Sequence, residues 1–560
     1  MENLKKFLLS AMLLLVCGIA GAQKIEVSGT VTDSNGETVI GATVMEKGTA
    51  NGTVTDIDGN FKFQTNAGAT VVVSYVGYNN VEVSAGQNLK VVLKEDATEL
   101  NEVVVTGYQV QRKADLTGAV AVMNMKDPIS ENDPNMLNSM QGKLAGVDIV
   151  TDAAPGGGGS TIRVRGMSTV NACEPLYVID GIATTENLNS LNAADIESIQ
   201  VLKDASSASI YGSRAANGVV VITTKRGKSG KMAININYNA SVQTVAKTYD
   251  MLSSEQWGQA YWQACANDGI APTGASSLYG TGSVPQLVES INGVRTANTD
   301  WQKQVYSAAW TQNLSASISN ASDKGSYLLS ANYIDQNGIM SETFYKRISA
   351  RLNSTYNFNK YIRVGENLMI AKWENRGADV NGDRGIPYTA MRQHPALPVY
   401  NEDGLFTDPV SVIGSDIDNP VQTLYNMRDN TNSSWRIFGN AYLEVMPIKG
   451  LSLKSNVGIE HIQYLNKTLG RNVRPTDDTA NRSVSRGYGQ GDTWTWTNTA
   501  NYMFDIAKDH HFTVLAGSEA IKYVFEDLSA MRKDYAFEDD DYMQIGSGSG
   551  TMTNGGGKQE

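Results

Sequence analysis

Asn101-Glu-Val-Val-Val-Thr-Gly107 is a short apolar run that stands between two segments of quite different composition. Its three consecutive valines are β-branched and favour an extended backbone. The acidic residues before it, Glu95, Asp96 and Glu99, indicate an exposed strand rather than the middle of a buried sheet. An exposed edge strand can accept a partner strand, so the sequence predicts a tether that binds another chain. The alternative is a core strand of an ordinary domain.

Five ordered motifs follow or continue this run. They are Thr106-Gly-Tyr-Gln-Val-Gln-Arg-Lys-Ala-Asp-Leu-Thr-Gly-Ala-Val120, Met140-Gln-Gly-Lys-Leu-Ala-Gly-Val-Asp148, Ile162-Arg-Val-Arg-Gly166, Pro175-Leu-Tyr-Val-Ile-Asp-Gly181 and Tyr211-Gly-Ser-Arg-Ala-Ala-Asn-Gly-Val-Val-Val-Ile-Thr-Thr-Lys225. With these motifs the chain resembles the SusC/RagA-type TonB-dependent outer-membrane transporters over nearly its whole length. The resemblance implies that the run is a TonB box, formed by Glu102, Val103, Val104, Val105, Thr106 and Gly107.

The N-terminus has the pattern of a secretory signal. Lys5 and Lys6 precede an apolar run over residues 7–19, and Ala20-Gly-Ala22 follows it. The apolar run is too short for an ordinary membrane span. We therefore expect residues 1–22 to be a signal peptide and Gln23 to begin the mature chain.

The composition predicts a mostly β protein and excludes some classes of function. The 53 glycines and 25 tyrosines, with only 13 prolines, suit many strands joined by turns. A net charge of −12 argues against a nucleic-acid binder, which needs a basic surface. Only Cys173 and Cys265 remain after the signal peptide, so disulfides are not expected to hold the fold together.

The segment before the box predicts a small domain. Residues 25–94 alternate short apolar strands with turn residues, which predicts a seven-stranded β-sandwich. It resembles the carboxypeptidase-regulatory-like domain, here placed at residues 23–95, with a linker that contains the box at 96–114. Asp56-Ile-Asp-Gly-Asn60 lacks the acidic closing ligand of a calcium loop, so a β-turn is expected there and no metal site.

Residues 115–230 mix helices and strands, and the resemblance implies an α+β plug domain. Helices are expected over 134–144 and 204–211, a strand over 195–202 and a hairpin over 214–224. The glycine-rich segment 155–160 lacks a following Gly-Lys-Ser/Thr, which predicts a flexible apical loop rather than a phosphate cradle. Three arginines in apolar runs should form salt bridges within the plug or to a barrel wall, because a buried unpaired charge is costly. These are Arg163, Arg165 and Arg214, with Asp180 and Glu197 as possible partners.

From residue 231 the sequence alternates apolar and polar residues, as membrane β-strands do. Tyr327, Leu329, Ala331 and Tyr333 should face lipid, and the alternating Ser330 and Asn332 should face inward. The inward face of other strands should include Ser317, Arg436, Glu444 and Glu460.

About nine such strands are expected, and the long segments 246–305 and 375–432 are expected to be extracellular loops. A family barrel of this kind has about 22 strands. An open membrane sheet would leave backbone groups unpaired in lipid. Residues 231–560 are therefore expected to be the N-terminal part of a truncated, incomplete antiparallel transmembrane β-barrel.

The resemblance implies active import of a nutrient across the outer membrane, without a cofactor and without enzymatic activity. The expected partners are TonB with ExbB and ExbD, a SusD-like surface lipoprotein and outer-membrane lipid. The expected cargo is an oligosaccharide in preference to a peptide. The N-terminal domain and the box would then be periplasmic.

Two other functional classes are considered. A secreted or surface-anchored adhesin would need neither box nor plug. A surface hydrolase is disfavoured, because the four histidines, His394, His461, His510 and His511, form no recognisable catalytic motif.

Overall fold

The computed structural model describes residues 24–34, 36–49, 51–75, 78, 80–93, 103–106, 109–112, 120–124, 136–151, 154–157, 160–167, 173–380, 382, 384–472, 482–506 and 510–560. The predicted signal peptide, Glu102 and Gly107 lie outside these residues. The chain divides into two compact units, residues 1–104 with 110–117 and residues 105–109 with 118–560.

The first unit is a β-sandwich. Its strands are β1 (Lys24–Thr32), β2 (Thr43–Glu46), β3 (Gly52–Val54), β4 (Asn60–Asn66), β5 (Thr70–Ser74), β6 (Val81–Ser84) and β7 (Leu89–Val92). They form one sheet in the order β4-β1-β7 and another in the order β3-β2-β5-β6. Alternate apolar side chains such as Val27, Val44, Val71 and Val73 are buried in one core. The prediction of seven strands is confirmed.

The Asp56–Asn60 segment is a β-turn, as predicted. The Asp56 carbonyl accepts a hydrogen bond from the Gly59 amide at 3.0 Å. The Asp56 carboxylate accepts bonds from the amides of Asp58 and Asn60 at 3.0 and 2.8 Å. The side chain that would begin a calcium loop is thus used to close the turn.

The valine run is extended, as its β-branched residues predict. It forms β8 (Val103–Thr106), which makes a two-stranded sheet with β9 (Gln109–Arg112).

The predicted plug domain lies in the second unit. Its elements are β10 (Val120–Asn124), α1 (Met136–Met140), β11 (Val147–Val150), a 3-10 helix (Pro155–Gly157), β12 (Thr161–Val164), β13 (Leu176–Ile179), β14 (Ile182–Thr184), 3-10 helices (Leu188–Ser190 and Ala193–Asp195), β15 (Ile196–Leu202), α2 (Ala205–Ala208), a 3-10 helix (Ser209–Ala215) and β16 (Val219–Thr224). The main sheet has the order β10-β15-β16-β13-β14, and β11 pairs with β12.

The predicted hairpin over 214–224 is wrong. Arg214 lies in a 3-10 helix, and β16 is a single central strand, antiparallel to β15 and parallel to β13. The side chains of Val219–Ile222 are all buried, as expected for a strand covered on both faces. The helix predicted over 134–144 ends earlier than expected, at Met140, and its described residues form α1; residues 134 and 135 lie outside the described part.

The remaining strands form one antiparallel sheet, here called the wall. It contains β17 (Ala233–Gln243), β20 (Ala309–Ser322), β21 (Gly325–Asn337), β22 (Phe344–Asn357), β23 (Ile362–Arg376), β24 (Thr431–Val445), β25 (Leu451–Gly470), β26 (Ser483–Ile506), β27 (His510–Lys533) and β28 (Thr553–Gln559), paired in chain order. The short β18 (Ser290–Ile291) and β19 (Val294–Arg295) pair with each other.

The alternation predicted for the wall is confirmed in β21. Tyr327, Leu329 and Tyr333 are exposed on the outer face, whereas Ser330 and Asn332 are buried on the face toward the plug. All nine strands predicted from the sequence are present, and the described part of the wall has β28 as a tenth. Its sequence, Thr-Asn-Gly-Gly-Gly-Lys-Gln, has no apolar alternation, and backbone pairing with β27 defines it.

The two long segments expected to be loops contain helices that pack together. Their helices are α3 (Ser254–Asn267), a 3-10 helix (Thr273–Ala275), α4 (Ser276–Tyr279), α5 (Trp301–Val305), α6 (Ile386–Arg392), α7 (Pro409–Ile413) and α8 (Pro420–Asn426). We call residues 249–305 and 378–427 the helical cap. The helix α3 begins with a capping box between Ser253 and Gln256, a sequence signal that could have identified it. In the described part of the chain, no helix is both long and apolar enough to cross a membrane.

Candidate functional site

The face of the wall toward the plug carries three arginines that are almost completely buried. Arg347 and Arg436 are 1% exposed and Arg351 is 3% exposed. Arg347 and Arg351 lie on β22 and Arg436 lies on β24. Side chains alternate between the two faces of a strand, and all three arginines are on the inward face. A buried guanidinium without partners is costly, and the plug supplies partners for each of the three.

Arg436 connects the wall to the end of β14 and to the plug segment that follows it. It forms an ion pair with Glu460 of the neighbouring strand at 2.5 Å. It also donates to the Thr184 hydroxyl at 3.1 Å, the Ser190 hydroxyl at 2.9 Å and the Asn187 carbonyl at 3.0 Å. Thr184 donates in turn to Glu460 at 3.0 Å. The ion pair of Arg436 and Glu460 within the wall is thus part of a larger hydrogen-bonded network that includes plug residues.

Arg351 faces two carboxylates of the plug. Its Nη1 lies 3.3 Å from Asp180, and its Nε lies 4.0 Å from Asp195. Asp180 also accepts hydrogen bonds from the amide and hydroxyl of Thr224 at 3.0 and 2.8 Å. Burial raises the pKa of Asp195, and the charge of Arg351 opposes that shift. Asp180 adopts a left-handed φ of 49° before Gly181, which turns the chain between β13 and β14.

Arg347 binds backbone carbonyls rather than a carboxylate. It donates to the carbonyls of Asn189 and Leu191 at 2.6 and 2.7 Å. The Tyr345 hydroxyl donates to the same Asn189 carbonyl at 2.9 Å. These carbonyls lie at the end of the 3-10 helix Leu188–Ser190, where the helix itself provides no donors. The wall thereby caps a plug helix.

The glycine-rich segment also contacts the wall. The Gly156 amide donates to the Gln336 side chain at 2.7 Å. A Cβ at Gly156 would lie 2.3 Å from the Tyr345 ring, and the φ of this residue is 73°. Glycine therefore permits a contact that other residues would prevent. Residues 155–157 are buried, so the prediction of a flexible apical loop is wrong for them; residues 158 and 159 lie outside the described part.

The four plug residues predicted from the sequence lie in different environments in the structure. Asp180 faces Arg351, and Arg214 lies 2.5 Å from Glu519 of β27. Arg163 is half-buried on β12 and Arg165 is exposed, and neither forms an ion pair with any described residue. Glu197, suggested as a partner, is exposed on β15.

The wall arginines at 347 and 351 were missed by sequence reasoning. Their signal is the alternation of polar residues in β22, where Tyr345, Arg347, Ser349, Arg351 and Asn353 are all buried on one face. Arg436 and Glu460 were assigned to the inward face, but their pairing with each other and with Thr184 was not predicted.

The helical cap has a different kind of centre, made of aromatic rings. The ring centroid of His394 lies 4.3 Å from that of Trp257, which stacks on Tyr261 and Tyr279 at 5.3 and 5.8 Å. The His394 Nδ1 accepts a hydrogen bond from the Ala396 amide at 3.1 Å, and its carbonyl accepts one from Trp301 at 3.0 Å. Burial lowers the pKa of His394 to about 4, so this histidine is neutral at pH 7.

Known protein families match both the N-terminal sandwich and the plug. A CarboxypepD_reg-like domain profile matches residues 27–105, and a TonB-dependent Receptor Plug Domain profile matches residues 112–219. TonB-dependent receptor SusC of Bacteroides thetaiotaomicron is 35% identical over 467 residues, which cover 80% of this chain and 43% of the relative. TonB-dependent receptor P26 of Formosa agariphila is 35% identical over 511 residues, 88% of this chain and 48% of the relative.

A solved structure is also similar. The RagAB peptide importer in its open-open state matches with a TM-score of 0.66 and 27% identity, over 82% of this chain and 53% of that one. The chain spans about half the length of the curated relatives that it matches. Both domain profiles, these relatives and the RagAB structure agree with the motifs that follow the valine run, and the chain belongs to the SusC/RagA-type TonB-dependent receptors.

Proposed function

We propose that the protein imports a nutrient across the outer membrane, driven by TonB with ExbB and ExbD. The observation that carries this proposal is a plug seated on the wall by directional polar contacts of Arg347, Arg351 and Arg436. Such contacts can be replaced by water when the plug moves, unlike a large apolar interface. The extended strand Val103–Thr106 precedes the plug in the chain and provides a place to apply force.

In this proposal TonB adds a strand to the box, Glu102 to Gly107. The main-chain hydrogen bonds of an added strand depend on an extended backbone more than on particular side chains. The box and the N-terminal sandwich lie in the periplasm. A SusD-like surface lipoprotein covers the opposite side, where cargo is captured.

The coupling is tested by replacing Val104 with proline. Val104→Pro removes a backbone N–H that a paired strand would use, so in the full-length protein we expect uptake to be lost while cargo binding is retained. Val104→Ile is the matched control, because it keeps both the N–H and the β-branched side chain. The measurements are uptake by cells and binding to the purified protein. Normal uptake by the Val104→Pro cells would remove this strand from the coupling step.

We propose an oligosaccharide as the cargo in preference to a peptide. The resemblance to SusC supports this choice, whereas the RagAB structures are named as a peptide importer. Labelled mixtures of short glucans, fructans and mannans, compared with a mixed peptide pool, distinguish the two. Uptake of the peptide pool alone, dependent on Val104, would leave the transport proposal in place and replace its cargo.

A further inference from the structure

The helical cap contains a cavity of about 600 Å³. It lies where the beginnings of α3 and α5 meet the end of α6, and its described lining residues all belong to the two segments of the cap. Small-molecule sites in proteins are clefts of roughly 300–1,000 Å³. The cap by itself therefore forms a cavity of the size that a small ligand needs.

Trp257 lines this cavity and is held in place by the rings of Tyr261 and Tyr279, which stack on it. The other two tryptophans of the cap use their indole N–H groups inside the protein, because Trp262 and Trp301 donate to backbone carbonyls at 2.9 and 3.0 Å. The indole N–H of Trp257 has no acceptor in the described part of the chain. A fixed donor without a protein acceptor is available to a ligand.

Two side-chain amides of the lining add donors of the same kind. The oxygen of Gln256 accepts a hydrogen bond from the Ser253 amide at 2.9 Å, and the oxygen of Asn298 accepts one from the Ser254 amide at 2.9 Å. Both oxygens are thus used to fix the beginning of α3, whereas neither NH₂ group has an acceptor among the described residues. The free hydrogen-bonding groups of Trp257, Gln256 and Asn298 are therefore neutral N–H donors.

The charged residues of the lining are paired. The Lys303 Nζ lies 2.9 Å from Asp300, and the Arg392 Nη2 lies 3.5 Å from Asp416. Leu252, which is 48% exposed, adds apolar surface to the same cavity. These features favour a neutral ligand that combines many oxygen acceptors with apolar C–H groups.

We propose that this cavity binds a segment of a neutral oligosaccharide before import. The inference rests on the proposed import of an oligosaccharide. The ring and glycosidic oxygens of a sugar accept hydrogen bonds and donate none, so they match the donors of Trp257, Gln256 and Asn298. A peptide carries a backbone N–H for each residue other than proline, and every N–H buried here would need an acceptor that these three side chains do not provide.

The test fills the cavity at Leu252 in the full-length protein. Leu252→Trp should weaken the binding of short neutral glucans, fructans and mannans, each measured by calorimetry, by roughly tenfold or more, because an excluded sugar loses its bonds to the three donors. Ile270→Trp is the matched control, because Ile270 is an apolar cap residue that is 59% exposed and does not line the cavity. It should bind sugars like the parent. Parental affinity in Leu252→Trp would overturn the proposal.

A second variant removes one donor and keeps the packing of the rings. Trp257→Phe retains an aromatic ring beside Tyr261 and Tyr279 but lacks the indole N–H. Affinity for the sugar that the parent binds best should fall roughly two- to tenfold, with thermal unfolding close to that of the parent. Unchanged affinity would contradict the assignment of this N–H to the ligand. Binding of the mixed peptide pool alone would overturn the sugar as the ligand.

Uptake in the same cells separates this inference from the proposed import. Sugar uptake that needs Val104 but is unaffected by Leu252→Trp would reject the cavity and leave the import proposal in place. Sugar binding that is lost in Leu252→Trp, in a parent whose uptake does not depend on Val104, would keep the cavity and reject TonB-driven import.

Discussion

We call the contact of Arg347, Arg351 and Arg436 with the plug the plug seat. The plug seat and the helical cap both join segments that are far apart in the sequence, but only the plug seat buries arginines beside its apolar contacts, which include Met369 and Phe438. The cap buries apolar side chains such as Trp301, Val305 and Leu397. The plug seat buries Arg347, Arg351 and Arg436 with hydroxyls, carbonyls and carboxylates. Apolar contact is non-directional and tolerates small shifts. A buried polar network is satisfied in one arrangement only and is costly when partly broken.

The proposed import function gives these two regions different mechanical tasks. It requires a cap that keeps its shape, and an apolar core provides that without exact alignment. It also requires a plug that takes one position and leaves it when force is applied. Directional hydrogen bonds and ion pairs define one position of the plug, and water can satisfy these groups after release. Variants that disturb each region should therefore behave differently.

The largest effect is expected at Arg436. Arg436→Met leaves Glu460 buried without its partner, so we expect a loss of about 3–5 kcal/mol in the stability of the plug seat. Hydrogen exchange of the amides in residues 184–195 measures this loss. In Arg436→Met/Glu460→Met both charges are gone, and most of the stability should return. Equal destabilisation of the single and double variants would contradict the account of Arg436 as half of a buried ion pair.

A loss of comparable or smaller size, confined to the cap, is expected at Leu397. Leu397 is 1% exposed, and Leu397→Ala should cost about 2–5 kcal/mol through lost burial and the cavity left behind. Leu397→Met nearly conserves volume and should cost less. Urea unfolding followed by hydrogen exchange separates the regions. Protection of residues 184–195 should stay unchanged; a parallel loss there would show that cap and seat are one cooperative unit.

The two regions also differ in how far the sequence predicts them. The outward placement of Tyr327, Leu329 and Tyr333 follows from the alternation of apolar and polar residues, which can be recognised within a few residues of one strand. The contact of Arg436 with Thr184 joins residues 252 positions apart, and no local pattern encodes it. The helix α3 had a local signal in its capping box, but β28 had none, because backbone pairing with β27 defines it.

The cap should also lose stability in acid through His394. Its pKa is lowered from 6.5 to about 4 in the folded state by burial. Below pH 6.5 the unfolded chain therefore binds a proton that the folded chain does not, and stability falls as the pH decreases from 6.5 toward 4. Tyr279 does not titrate in this range, because burial raises its pKa to about 12.

Thermal unfolding of the cap, followed by tryptophan fluorescence, measures this dependence. His394→Gln removes the titrating group and should flatten the profile between pH 6.5 and 4. Retention of the full acid sensitivity in His394→Gln would assign it to other groups. The plug seat, measured by hydrogen exchange in the same series, is the internal comparison.

The smallest effect is expected at Arg214, the plug arginine identified from the sequence. Its side chain is 38% exposed, and that of its partner Glu519 is 22% exposed, so solvent screens the pair far more than it screens Arg436 and Glu460. Arg214→Gln should therefore cost about 0–1 kcal/mol, and added salt should shrink the difference between variant and parent. Hydrogen exchange of residues 209–224 at low and high salt measures both quantities. A salt-independent loss as large as that of Arg436→Met would show that the plug is held equally tightly at β27 and at β24, and would contradict the difference in strength that we infer from the exposure of the two ion pairs.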